Sequence, residues 1–183
     1  DAALNGATTR TLRFALGSGV TVDLSGTNTI ETGGLLVVQQ SPLITGGTLT
    51  TGDASGDFLL HSYAGGLGLR LNTNIADNGS PVRLIKAGTG NVTVTSSQSY
   101  TGGTYVGAGV LMLGNGFGGG ATGSLPGDVF LNAFNNGGGS FNPSGTLAVN
   151  RAGTYTLPNT LTGSGNLAQY STGTLVLNKQ QGL

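Results

Sequence analysis

The chain has 183 residues, of which 36 are glycine and only 8% are charged, against roughly 25% charged residues in typical soluble domains. Collagen is excluded because there is no Gly-X-Y period, a membrane helix because no apolar run reaches about 18 residues, and disulfides because cysteine is absent. Seven basic and seven acidic residues cancel and are scattered. We therefore expect no nucleic-acid partner and no membrane insertion by this segment.

Short apolar and β-branched runs bounded by Gly, Asn, Asp or Pro follow one another along the chain and predict strands. In chain order they are TLRFAL (11–16), VTVDL (20–24), GLLVVQ (34–39), TLTT (48–51), FLLHSY (58–63), LGLRLN (67–72), VRLIK (82–86), VTVT (92–95), TYV (104–106), VLML (110–113), DVFL (128–131), TLAV (146–149), TYTL (154–157) and TLVL (174–177). Helical spacing of apolar residues is scarce, so the predicted class is all-β.

Among all-β folds, the spacing favours a parallel β-helix, or β-solenoid, that forms a single domain over residues 1–183. In such a fold each coil stacks on its neighbour, inward Val, Leu and Ile form the core, and glycines supply positive φ at the corners. At roughly 20–25 residues per coil, the length predicts about eight coils. The alternative is a sandwich or jelly roll, which would show two-residue Asn-Gly or Asp-Gly hairpin turns and clean alternation.

Three sequence blocks occur in a fixed order within residues 82–115, namely KAGTGNVTV (86–94), YTGGT (100–104) and GAGVLMLGN (107–115). This stretch resembles the autotransporter-associated β-strand repeat of the passenger regions of type V secreted proteins. The preceding blocks are similar to the leader of that repeat: TNTIETGGLLV (27–37), ITGGTLTTG (44–52), DFLLHSY (57–63) and IADNGSPVRLIKAG (75–88).

The positions that carry the resemblance are mostly glycines at fixed intervals between the short strands. They are Lys86, Gly88, Gly90, Tyr100, Thr101, Gly102, Gly103, Thr104, Gly107, Gly109 and Gly114. The resemblance implies a right-handed parallel β-helix, extracellular or displayed at the cell surface of a Gram-negative bacterium. It also implies a mainly structural role, as a stalk that aids stepwise folding during export.

A partial second copy of the repeat is predicted at residues 161–183, where GTLVLN (173–178) aligns with GNVTVT (90–95). The second copy reaches Leu183 before its YTGGT block. Either further chain or a neighbouring subunit would complete the last coil, so head-to-tail stacking into filaments is one hypothesis.

Catalytic carboxylates in a β-helix would have to converge from adjacent coils of one face. The acidic residues are Asp1, Asp23, Glu31, Asp53, Asp57, Asp77 and Asp128. Only Asp53 and Asp57 are close in sequence, and they flank a glycine-containing turn, so we interpret them as turn-forming residues. His61 is the only histidine, and alternation in FLLHSY predicts that it faces outward or caps a strand edge.

Two further glycine motifs resemble ligand sites without completing them. GGLGLRL (65–71) has Arg70 where the calcium-binding nonapeptide has aspartate, so a cation would meet positive charge. Gly114, Gly116 and Gly119 satisfy G-x-G-x-x-G, but no helix or acidic residue follows at the required spacing. We therefore predict no catalytic residue, no metal site and no cofactor.

Glycan recognition is the main alternative to a purely structural role. Tyrosines can stack on sugar rings, and the candidate glycan contacts are Tyr63, Tyr105, Tyr155 and Tyr170. Residues 114–123 and 132–145 are predicted to project as loops. The leading hypothesis is a non-catalytic stalk or fibre of an exported surface protein that supports adhesion or self-association. A carbohydrate-binding β-helix and a polysaccharide-degrading enzyme are the alternatives.

Overall fold

The computed structural model describes residues 2–15, 19–39, 41–115, 123–132 and 144–183. These residues form strands and no helix, and every strand pair among them is parallel. The strands are β1 (Ala2–Asn5), β2 (Thr8–Phe14), β3 (Thr21–Val37), β4 (Leu43–Thr51), β5 (Asp57–Ser62), β6 (Leu69–Ile75), β7 (Arg83–Ala87), β8 (Asn91–Val94), β9 (Thr104–Val106), β10 (Val110–Leu113), β11 (Val129–Leu131), β12 (Thr146–Val149), β13 (Thr154–Leu157), β14 (Leu161–Gly163), β15 (Asn166–Gln169) and β16 (Thr174–Leu177).

The strands stack into a parallel β-solenoid of about seven turns, which confirms the predicted fold class. The hairpin-based sandwich is excluded because consecutive strands of each ladder belong to consecutive turns. Each turn has three faces. Face 1 stacks β1, the start of β3, β4, β6, β8, β10, β12 and β15. Face 3 stacks β2, the end of β3, β5, β7, β9, β11 and β14. Face 2 lies between them and includes the β13–β16 pair.

The strand β3 shows how one turn is built, because it runs along all three faces. Its residues 21–24 and 27–30 pair with the two halves of β4, and its residues 34–37 pair with β5. The corners lie at Gly26 and Gly33, where φ is +61° and +63°. A Cβ atom on Gly33 would lie 2.0 Å from the backbone oxygen of Asp57, so this corner requires glycine for both its conformation and its packing.

The core consists of columns of inward side chains, one from each turn. On face 1 a column of apolar residues is fully or almost fully buried over six turns, and its members are Val22, Ile44, Leu71, Val94, Leu113 and Val149. The corresponding column on face 3 contains Leu35, Leu60, Lys86, Val106 and Leu131. The strict alternation of inward and outward residues, for example over β6, positions the outward residues that are described below.

Turn length varies more than the predicted 20–25 residues. Leu113 pairs with Val94, which is 19 residues earlier, and with Val149, which is 36 residues later. The long turn contains residues 116–122 and 133–143, so the predicted loops at 114–123 and 132–145 lie largely outside the described residues. Because this turn is long, the structure has about seven turns where about eight coils were predicted.

The two sequence copies of the repeat occupy different places in the turn. The strand β8 of the first copy lies on face 1, whereas β16 of the second copy pairs with β13. In the last turn the strand that stacks on face 1 is β15. Leu177 in β16 stacks on the fully buried Leu157, yet it is itself 44% exposed. In the described part of the chain, no helix is long and apolar enough to cross a membrane.

Candidate functional surface

Face 3 carries a column of apolar side chains on its outer surface. The register of β5, β7, β9 and β11 aligns Leu59, Ile85, Tyr105 and Phe130 in consecutive turns. The Tyr105 and Phe130 rings are stacked, with centroids 5.3 Å apart and an angle of 8° between their planes. Phe130 is 42% exposed, and the next residue in the column is the small Thr162. One face of the Phe130 ring is therefore not covered by a large side chain of the column.

A second outward column on face 3 is polar and lies two residues earlier in each strand. It contains Asp57, Arg83, Gly103 and Asp128 in consecutive turns. The Arg83 guanidinium donates to both carboxylate oxygens of Asp57, at 2.9 and 3.0 Å. The Arg83 side chain is still 54% exposed, and Asp128 is exposed. Face 3 therefore places charged groups beside the aromatic column.

Gly103 leaves a gap in the polar column. Its φ is +80°, a conformation that favours glycine, and the missing side chain opens a groove of about 290 Å³. We call this the Tyr105 groove, and its main lining residues are Arg83, Gly103, Tyr105, Asp128, Phe130 and Thr162. Arg83 and Asp128 are two turns apart, which corresponds to about 10 Å along the solenoid. The groove therefore has a cationic end, an anionic end and an aromatic wall.

A second groove of about 310 Å³ lies near the N-terminal end of face 3. Leu12, Leu36 and Leu59 line it together with Arg13 and His61. Its surface is mainly apolar, and its two ionisable side chains, Arg13 and His61, lie in one outward column with Leu36 between them. This groove offers apolar contact but few groups that could orient a polar ligand.

Lys86 is the one charged side chain in the described core, in line with Leu60 and Val106. Its Nζ donates hydrogen bonds to three backbone oxygens at two successive corners: Ala87 at 3.1 Å, Gly88 at 2.8 Å and Ala108 at 2.8 Å. The side chain therefore joins two neighbouring turns through backbone carbonyl groups.

Burial lowers the pKa of Lys86 to about 7. The carbonyl oxygens act in the opposite direction, because three acceptors match the three N–H groups of an ammonium and a neutral amine supplies only two. His61 lies on the neighbouring strand, and its pKa is lowered by burial and then by the charge of Lys86. Within the described ranges, the one ion pair is Arg83–Asp57, so no carboxylate compensates the Lys86 charge.

The YTGGT block forms the corner between faces 2 and 3 in one turn. Tyr100 is fully buried, and its hydroxyl lies 2.5 Å from the Thr104 hydroxyl. Burial raises the pKa of Tyr100 far above its ordinary value, although the Thr104 contact acts in the opposite direction. The Thr101 amide and hydroxyl both donate to Asp77, which also accepts the Val82 amide. Within the block, Tyr100 thus fills the core at the corner, and Thr101 binds the preceding turn through Asp77.

Asp77 fixes this corner through its carboxylate. Burial acts to raise the pKa of Asp77, but the hydrogen bonds from Val82 and Thr101 outweigh it and hold the pKa below its ordinary value. Two repeat glycines, one at this corner and one at the Lys86 corner, are required for close approach. A Cβ on Gly102 would lie 2.6 Å from the Val82 oxygen, and one on Gly109 would lie 2.9 Å from Lys86 Nζ.

The structure distributes the four candidate tyrosines and does not bring them together. Tyr63 follows β5 and its ring lies 4.9 Å from that of His61. Tyr105 stacks on Phe130 in face 3. Tyr155 lies in β13 with the Arg151 guanidinium 4.1 Å from its ring centroid, and Tyr170 is 55% exposed after β15. Of the four, Tyr105 lines the Tyr105 groove, where it has both charged and aromatic neighbours.

Three of the acidic residues, Asp53, Asp57 and Asp77, accept hydrogen bonds from named partners. Asp53 accepts the Ser55 amide within its turn, as the turn interpretation predicts. Asp57 instead begins β5 and binds Arg83. Asp57 and Asp128 are three turns apart on face 3, about 14 Å, which exceeds the roughly 5–9.5 Å between the carboxyl groups of typical glycosidases.

The next residues are those that the sequence motifs for metal and nucleotide binding pointed to. Across the described ranges there is no cluster of three or more residues that could hold a metal ion. Arg70, at the position of the calcium-binding aspartate, donates to the Ser41 oxygen. His61 lies in an outward column, as predicted. Asp1, Gly116 and Gly119 lie outside the described residues.

Sequence reasoning did not single out Phe130, Arg83 or Asp128 as a group. They come together only through the register between turns, which differ in length. The signal that could have found them is the strand alignment of RLIK (83–86), GTYV (103–106) and DVFL (128–131), which gives the order Arg, Gly, Asp at the first position and Ile, Tyr, Phe at the third.

Comparisons of the chain with protein-family models, curated proteins and solved structures found no match. The resemblance to the autotransporter-associated repeat therefore stays a prediction that depends on the sequence blocks alone. The residues of those blocks have structural roles at the corners, as described above for Lys86, Tyr100 and Gly102.

Proposed function

We propose that this chain is a non-catalytic structural segment, a stalk or fibre, of an exported bacterial surface protein. The observation that supports this most directly is the continuity of the core. Columns of buried residues run from turn to turn along the solenoid, and each turn contacts mainly its neighbours. Such an arrangement extends in one dimension and suits a protein that must bridge a distance.

The chemistry of the polar groups supports the same proposal. Lys86 and Asp77, which form three and two hydrogen bonds to backbone groups, hold corners of neighbouring turns together. Arg83 and Asp57 form an ion pair between neighbouring turns. These contacts stabilise the stack. The Lys86 ammonium and the Asp77 carboxylate are used entirely within them.

Cell-surface location can be tested with antibodies raised against the purified chain. We expect them to label intact cells of the source bacterium as strongly as permeabilised cells. Labelling that requires permeabilisation would contradict the proposed location. In a parallel assay we expect no release of reducing sugar from neutral or acidic polysaccharides, and sustained release would replace the structural proposal with an enzymatic one.

Self-association is the second part of the proposal, and the exposed Leu177 supports it. A second copy stacked end to end would bury this side chain as Leu157 is buried one turn earlier. Light scattering of the chain at increasing concentration should therefore show growing particles, and Leu177→Ser should reduce the growth. Val176→Ser is the matched control, since Val176 is 37% exposed but points outward. A monomer at all concentrations would refute end-to-end stacking.

A further inference from the structure

We propose that the Tyr105 groove on face 3 binds a neutral hexose glycan. This site goes beyond the structural role and uses none of the groups that hold the corners together. The groove combines a stacked aromatic pair with an arginine and an exposed carboxylate in about 290 Å³. Small-molecule sites typically combine an apolar wall with a few convergent polar groups, and this groove has both.

The aromatic wall suits a sugar ring. Aromatic ring faces carry negative potential, and the C–H bonds on one side of a pyranose ring are weakly positive and apolar, so the two surfaces attract each other. Tyr105 covers one face of the Phe130 ring. The other side is followed by Thr162, whose side chain is small and exposed. A sugar ring that stacks on Phe130 would continue the column of Tyr105 and Phe130.

The polar column supplies the groups that recognise hydroxyls. Arg83 binds Asp57 through Nε and Nη2, and its side chain remains 54% exposed, so it has further N–H groups to donate to a sugar oxygen. Asp128, on the opposite side of Gly103, has carboxylate oxygens that accept from sugar hydroxyls. The absence of a side chain at Gly103 gives a ligand access to both groups.

The charge of the groove selects against acidic glycans. Asp57, Arg83 and Asp128 together carry one net negative charge, and the Arg83 charge is already paired with Asp57. A uronic acid or a phosphate would therefore be repelled by Asp128 without a free cation to compensate. A neutral hexose pays no such penalty, and its hydroxyls can both donate and accept.

The test is a titration of the purified chain, followed by amide chemical shifts in NMR. The probes are cellotetraose, maltotetraose, mannotetraose and, as an acidic comparison, trigalacturonate. We expect at least one neutral tetrasaccharide to bind with a millimolar or tighter Kd and to shift the amides of Tyr105, Phe130 and Asp128. Trigalacturonate should bind at least tenfold more weakly. No binding by any neutral probe, or tighter binding of trigalacturonate, would overturn the proposal.

Variants identify the groove as the site. Phe130→Ala should weaken binding about fivefold to tenfold, and Asp128→Ala, at an exposed position, should weaken it about threefold. The matched control is Tyr170→Ala, which removes an exposed aromatic ring outside the groove and should leave the Kd unchanged. Thermal unfolding of each variant shows whether it is folded. Binding that is lost in Tyr170→Ala but kept in folded Phe130→Ala and Asp128→Ala would place the site elsewhere and refute this assignment.

Discussion

The buried ammonium of Lys86 gives a prediction about stability against pH. Lys86→Met keeps a side chain of similar length and removes both the charge and the three donors to Ala87, Gly88 and Ala108. Comparison of the two proteins removes the titration of this one group. The other described group affected is His61, whose pKa the Lys86 charge lowers.

The sign and size of the change in the free energy of unfolding with pH follow from the pKa values of Lys86 in the folded and unfolded chain. Burial lowers the pKa of Lys86 from 10.5 in the unfolded chain to about 7 in the folded one. Below pH 7 the lysine is protonated in both states, so folding carries the full cost of the buried charge, about 5 kcal/mol at 1.36 kcal/mol per pKa unit. Between pH 7 and 10.5 the folded protein releases the proton and the cost falls. The free energy of unfolding of the wild type should therefore rise relative to Lys86→Met, by about 3 kcal/mol from pH 6 to pH 9.5.

The assay is urea denaturation at pH 6 and pH 9.5, followed by far-ultraviolet circular dichroism. Lys179→Met is the control, because Lys179 is exposed and its removal should give no such pH-dependent difference. If the difference between wild type and Lys86→Met stays constant within about 0.5 kcal/mol, the three carbonyl oxygens hold the ammonium charged at pH 9.5. That result would refute the reasoning that burial governs the titration.

Three further predictions concern corners, and denaturant unfolding measures each of them. Asp77→Ala should lower the free energy of unfolding by about 1–2 kcal/mol at pH 7, because three donors lose their acceptor. Since the pKa of Asp77 is lowered on folding, the difference between wild type and variant should shrink as the pH falls below about 4. A difference that does not change with pH would contradict the lowered pKa. Gly33→Ala should lower the free energy of unfolding by more than about 2 kcal/mol, because its Cβ would meet the Asp57 backbone oxygen. Gly79→Ala, with a similar φ but open space around the new Cβ, should lower it by about 1 kcal/mol. Equal losses in the two variants would show that φ alone matters. Tyr100→Phe should lower the free energy of unfolding by about 1 kcal/mol, because the hydroxyl contact with Thr104 is lost. Tyr100→Ala should lower it by about 3–5 kcal/mol, because a cavity replaces the buried ring. A small effect of the alanine variant would show that the core does not depend on this ring.

The strands that the sequence predicts well are those with apolar inward residues. FLLHSY (58–63) corresponds to β5, where Phe58 and Leu60 are fully buried and His61 points outward. Residues 27–30 were not predicted, although they form the face 2 part of β3. The reason is that Asn28 points inward and is 3% exposed, with its amide bonded to Ala7 and Ser25. From the sequence alone, a buried asparagine that binds the backbone at a corner cannot be distinguished from a loop residue.

Lys86 shows a signal that was present in the sequence but would normally be discounted. Alternation in VRLIK (82–86) places Val82, Leu84 and Lys86 on the same side of the strand. Composition rules place a lysine in solvent, because a buried charge is costly unless it is compensated. The compensation comes from carbonyl groups of the next corner, including Ala108, and depends on how two turns stack. That contact cannot be read from the residue pattern of a single turn.

The candidate binding site follows from the same separation between inward and outward positions. The inward column of face 3 must stay filled from turn to turn, so Thr104 and Val106 are constrained by their neighbours in the stack. The outward positions of face 3 do not have to fill the core, so Arg83, Gly103 and Asp128 follow one another in successive turns, although the positive φ at Gly103 favours glycine there. A solenoid can therefore acquire a ligand groove by outward substitutions alone. If the Tyr105 groove arose by such outward substitutions, Asp128→Ala should abolish its preference for neutral over acidic glycans. The same variant should leave the free energy of unfolding within about 0.5 kcal/mol of the wild type.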